Sequence, residues 1–238
     1  MVNFKVKLNK LASQVIFRPT LKSADKFLDI ASVFEDEYKE WSEIQPNNFV
    51  LYNPDNLTGL VFATNSTAAV GEGDNQDQDY LKEKITSSMN KYYTDASVKV
   101  IRRTGFAIVK VLESEFNYED LAELLFRKFY SDNPILEELS FDSKPRDVVF
   151  VLDGEKDGLL THVEIGPVRS NEAISRFNSN FTRNDKIELG ESNLFIAVDV
   201  FDNKEFIANS FDEIKELIEK CQEKANKLMD KYFEYITN

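Results

Sequence analysis

Two hydrophobic periods alternate along the chain, and each change of period marks an element. "NFKVKL" alternates Phe4, Val6 and Leu8 with polar residues, the period of a half-buried strand, and "QVIFRP" is a second such run ended by Pro19. From Ala24 to Ile44 the period lengthens. Phe27, Ile30, Ala31, Phe34, Tyr38 and Trp41 recur at helical spacing until Pro46, which predicts one long helix. "NFVLYN" and "LTGLVFATNSTAAV" read as a hairpin turning through Pro54, Asp55 and Asn56, residues that fix φ or bond their own backbone. A helix from about Asp79 to Tyr93 follows, with Leu81, Ile85, Ser88, Met89 and Tyr92 on one face.

"VKVIRRTGFAIVKVL" is a long β run from Val98 to Leu112 in which Gly105 predicts a bulge or bend. "NYEDLAELLFRKFY" then starts on a capping Asn117 and places Tyr118, Leu121, Leu125 and Phe129 on one helical face. "DVVFVLDGEKDGLLTHVEIGPV" reads as two strands around a turn, and "NLFIAVDVFD" as a buried strand. The last helix is the clearest: Ser210 and Glu213 have capping-box spacing, and Ile214, Ile218, Cys221, Ala225, Leu228, Tyr232 and Ile236 follow at intervals of three or four.

These elements predict an α+β protein, with an antiparallel sheet, helices mainly on one face, and a long C-terminal helix lying across it. Both halves carry an amphipathic helix and long strands, so two related lobes are expected, 1–113 and 114–238, or one continuous domain. No residue motif repeats at a fixed period.

Composition narrows the function classes. The net charge of −13 opposes broad binding to nucleic-acid backbones or anionic membrane surfaces. Local exceptions are "KVIRRTG", with Lys99, Arg102 and Arg103, and the stretch from Arg169 to Lys186, where Arg169, Arg176 and Arg183 alternate with Phe177 and Phe181. The N-terminus lacks a signal-peptide apolar run and the one cysteine, Cys221, has no intramolecular partner, so a cytoplasmic protein is expected.

The acidic stretch "GEGDNQDQDY" tests as a ligand loop and fails. Gln76 and Gln78 break the calcium-loop pattern, and Gly71 and Gly73 lack the rest of a phosphate-binding fingerprint. Its aspartates suit the start of the helix behind them, where carboxylates accept free backbone N–H groups. No cofactor motif and no Cys and His set for a metal is present.

The candidate ligand-binding residues are Arg102, Arg103, His162, Glu164 and Asp199. His162 is the only histidine, and strand alternation puts it on one face with Glu164. Asp199, inside an apolar strand, needs a cationic partner such as Arg102 or Arg103. Other carboxylate pairs, Asp153 with Asp157, Asp199 with Asp202 and Glu137 with Glu138, are adjacent without a further motif. Cys221, on an apolar helix face, reads as inert packing.

"VKVIRRTGFAIVKV", followed by "NLFIAVDVFD" and a helix ending "YFEYIT", resembles an uncharacterised, sporadically distributed prokaryotic family of unknown function. Its pattern pairs a mid-chain strand bearing Arg-x-Gly with a late Asp-x-Asp-like strand. Here Thr104 stands between Arg103 and Gly105, Phe106 to Val109 lack the expected Arg-Tyr, and the late strand carries a single Asp199. The resemblance implies no activity and no catalytic residues.

With no complete catalytic motif, the expected function is a non-catalytic protein-interaction module with an unidentified protein partner. The alternative is a small-ligand-binding domain with an apolar cleft between terminal helix and sheet, and Arg102, Arg103, His162 or Glu164 at its mouth. A homodimer through the terminal helix is a further partner state, with a thin seam at Cys221 and Ala225.

Overall fold

In the computed structural model, which describes residues 4–73, 76–130, 145–179, 181 and 187–238, the two N-terminal strand runs are one strand. β1 (Phe4–Phe17) does not keep one alternation across both runs: an irregularity at Lys7 leaves Phe4 and Val6 on the main core and turns Leu8 to the other side, and regular alternation holds from Leu11. Thr20 then caps α1 (Leu21–Ser32) in a reciprocal box with Ser23.

The expected long helix stops there. A 3₁₀ turn (Glu35–Glu37) follows, and Trp41 falls on strand β2 (Glu40–Gln45). Phe34 and Tyr38 are still buried at helical spacing, but Lys39 to Glu43 are exposed. The short turn at Pro46 and Asn47 folds β2 onto β3 (Asn48–Asn53), pairing Trp41 with Leu51, so the sheet ladder prevails over the helical pattern.

The next run splits into β4 (Thr58–Ala63) and β5 (Ser66–Glu72), and the turn before β4 uses Asn53 and Asn56 side chains to hold the Asp55 and Thr58 N–H groups. Helix α2 (Gln78–Asp95) is capped by Asp77, which accepts from the N–H groups of Asp79 and Tyr80. Asp74 and Asn75 lie outside the described residues.

β6 (Val100–Ser114) pairs with β1 on one side and β9 (Ser192–Asp202) on the other. Gly105 is not a bulge: it pairs in register with Gln14 and Phe201, and a Cβ there would lie 3.0 Å from the Phe201 Cβ. Close strand approach is what requires glycine. The register shifts instead beside Lys7 and Arg102. After α3 (Tyr118–Tyr130) come β7 (Phe150–Lys156) and β8 (Leu159–Arg169), joined at Asp157 and Gly158, both at positive φ as a two-residue hairpin demands.

Short helix α4 (Ser170–Phe177), the two-residue strand β10 (Phe206–Ile207) on β6, and α5 (Phe211–Thr237) complete the described elements. The expected capping box of α5 is not formed. Ser210 makes no side-chain cap bond, and the Glu213 carboxylate reaches back to the N–H of Asn209 instead.

The sheet order is β2-β3-β4-β5-β1-β6-β9-β8-β7, antiparallel throughout. The strands that open the two halves of the chain, β1 and β6, lie side by side at the centre, and α4 between β8 and β9 has no counterpart in the first half. Sheet and main core nevertheless run through the 113/114 boundary, since Phe106 and Ile218 belong to one cluster with Phe62 and Tyr92. Helices α1, α2, α3 and α5 cover one face. Helix α4 packs on the other, over Val111, Val168 and Phe195.

Candidate functional site

Pairing register decides where the candidate residues go. On β8, His162 stands opposite Asp199 of β9 and Asp153 of β7, so these side chains share one face; Arg103 of β6 projects from the same side. That face is opposite α5. The cleft expected beneath the terminal helix therefore does not have Arg103, His162, Glu164 or Asp199 at its mouth: the period-2 alternation that buries Val163, Val198 and Val200 beneath the helices turns their neighbours away from them.

Each charge there has a partner. Arg103 donates to Asp199 at 2.7 Å and to Gln14 at 3.4 Å, with its guanidinium 4.4 Å from the Phe201 ring centre. Burial holds the Asp199 carboxyl above its usual range, opposed by the Arg103 and His162 charges. His162 Nδ1 lies 2.8 Å from Asp153 Oδ1. Glu164 shares the face but takes Arg176 of α4, which also binds Glu172 at 2.6 Å, so His162 and Glu164 face different partners.

Arg102 departs from Arg103 because it sits at the register shift. It binds Glu205 at 3.1 Å, on an exposed edge. Arg169 lies 4.4 Å from the Tyr118 ring centre, in a wide groove where α3 and α4 begin, among Glu119, Glu172 and Glu191. Arg183, Lys186, Glu137 and Glu138 lie outside the described residues.

Sequence reasoning passed over Glu72. Its carboxylate is buried where β5 ends and accepts from Ser179 Oγ at 2.5 Å and the Phe181 N–H at 3.3 Å, with Lys10 at 3.8 Å. Phe181, so held, stacks on Tyr52 over the space that Gly59 leaves. An acid closing the apolar run "STAAVGE" was the available sign.

Under α5 the packing is of two kinds. Toward its N-terminus Ile214, Ile218 and Cys221 are fully buried, and burial pushes the Cys221 thiol up to about 12. Such a thiol is inert at neutral pH. Further along, a crevice of about 300 Å³ opens between sheet and helix, lined by Asn9, Leu11, Gln76, Gln78, Ile108, Lys110, Asn226, Met229 and Asp230. It adjoins an open groove between α2 and α5 that shares Gln76, Gln78 and Asn226.

Among the described residues, no group of three His, Cys, Asp or Glu is placed to hold a metal ion, and no helix is long and apolar enough to cross a membrane. No protein-family model matches the sequence, and no curated protein matches it.

Proposed function

We propose that this chain is a non-catalytic protein-recognition module, acting in the cytoplasm, that takes an extended basic segment of its partner along strand β2. The observation that carries this is Trp41: it is 69% exposed, stacked at 5.1 Å on Phe49, on a strand whose only described sheet neighbour is β3. Exposed tryptophan is the residue type most enriched at binding hot spots, and an open strand edge offers unpaired N–H and C=O groups to a further strand. Glu40 and Glu43 are exposed on the same strand, which favours a basic partner. Leu28 on α1 and Val33 at its C-cap are exposed as well.

The test is affinity capture from the native host at near-physiological concentration, with wild type and Trp41→Ala side by side. A stoichiometric partner held by wild type and lost by the variant is the expected result. Recovery of none, or equal recovery by both, overturns the proposal.

A second reading, small-ligand binding between the terminal helix and the sheet, is favoured by the polar crevice at Asn9, Lys110 and Asp230. Such a site needs a concave, partly apolar cavity of roughly 300 to 1,000 Å³ with a few placed polar groups.

A further inference from the structure

Of the side-chain amides around the crevice, Asn9, Gln76, Gln222 and Asn226 spend a donor on protein, and Gln78 Oε1 accepts two of these bonds. Asn226 Nδ2 donates to Gln78 Oε1 at 2.5 Å, and Gln222 Nε2 to the Gln78 backbone at 3.3 Å. Gln76 Nε2 donates to the Asn56 carbonyl at 2.9 Å, and Asn9 Nδ2 to that of Gly73 at 3.4 Å. Two buried oxygens are left unmatched. Asn9 Oδ1, on the crevice wall, and Gln222 Oε1, on the adjoining groove, are buried without a hydrogen-bond partner, and Gln222 as a whole is 6% exposed. A buried acceptor left unmatched costs about 1 to 3 kcal/mol, so these oxygens call for a donor.

The charges sort the same way. Asp230 lines the crevice, and Asp77, Asp79, Glu219 and Glu223 line the groove outside it, a field that draws cations in. Lys82, in that groove, is taken by Asp79 at 3.0 Å. Lys110 is the cation of the inner crevice, and among the described residues it has no ion-pair partner. Leu11, Ile108 and Met229 provide an apolar lining.

Resting on the second reading above, we infer that the crevice binds a free α-amino acid with a small apolar side chain. Its ammonium, rich in donors, meets Asn9 Oδ1 and the Asp230 carboxylate, its carboxylate meets Lys110, and its side chain lies on Leu11, Ile108 and Met229. A volume near 300 Å³ limits the ligand to this size.

Calorimetric titration of the full chain with L-valine, isobutylamine and isovalerate tests this, because the last two each lack one charged group of valine. Expected is saturable valine binding, with both analogues weaker by about tenfold or more. Lys110→Met should reduce valine affinity to that of isobutylamine while the circular dichroism spectrum stays unchanged, and Asn9→Leu should weaken valine and isobutylamine together. Isobutylamine binding as well as valine, or valine binding unaltered in Lys110→Met, overturns the amino-acid assignment and leaves the ligand reading standing. No heat with any of the three compounds overturns the amino-acid assignment; the ligand reading falls too if, in addition, Asn9→Leu raises the melting temperature, since its orphan oxygen then only costs stability.

Discussion

The two faces of the central strands are built from alternate residues of the same segments, yet they are stabilised in different ways. On β1 and β6, Leu11, Val15, Phe17, Ile101, Phe106 and Ile108 point to the helices and are at most 2% exposed. Their neighbours Lys10, Gln14 and Arg103 point the other way and are held by named polar partners: Glu72 for Lys10, and Asp199 for Arg103, which also holds Gln14. The helical face is stabilised by close packing, which any lost volume weakens. The opposite face depends on pairs, so its sensitivity lies in leaving one member behind. Charged residues that look like site candidates in the sequence can therefore be each other's structural partners.

The largest effect should come from the packed face. Phe106, 1% exposed beneath α5, should cost about 3 to 5 kcal/mol when replaced by alanine, read from urea unfolding. A cost below about 1 kcal/mol would show that this face is loosely packed and break the contrast. Next is Glu72→Ala. It removes the carboxylate beside Lys10, whose ammonium keeps its bond to the Asn178 carbonyl, and releases the Ser179 and Phe181 contacts, so a loss of about 2 kcal/mol is expected, together with a change in the near-ultraviolet dichroism of the Tyr52 and Phe181 stack. A near-neutral outcome would mean that the pair does not hold this face.

Much of the fold was legible because it is written in periodicity. The buried stripe of α2, from Leu81 to Tyr92, and the capping of α3 by Asn117 follow directly from spacing and residue type. Trp41 misled because it continues the three-to-four spacing of the preceding helix, and only the long-range pairing with Leu51 puts it on a strand. The candidate site was legible as a set of residues sharing a face, since alternation puts His162 with Glu164. Which face that would be depends on how β8 and β9 are covered, a long-range fact that no local pattern contains. The crevice was less visible still: Asn9 and Lys110 lie on separate strands about a hundred positions apart in sequence, and they meet Asn226 only through the β1 and β6 pairing and the path of α5.

Asp199 provides the smallest and sharpest test of the paired face. Its carboxyl is held above the usual range by burial, so the folded chain keeps this proton more tightly than the unfolded chain, whose aspartate pKa is about 3.9. The sign follows from proton linkage: stability tied to Asp199 is fully present below the unfolded value and is lost as pH rises through the folded one. Asp199→Asn has no such titration. Stability curves of the two proteins across acidic pH should therefore diverge in favour of the variant as pH rises, by under about 1 kcal/mol, because the side chain is partly solvated and Arg103 offsets some of the cost. Divergence in favour of the wild type would mean that Arg103 outweighs burial. The pair would then be a net source of stability, and the open face would be held by attraction rather than by the mutual satisfaction of charges that had to be placed there.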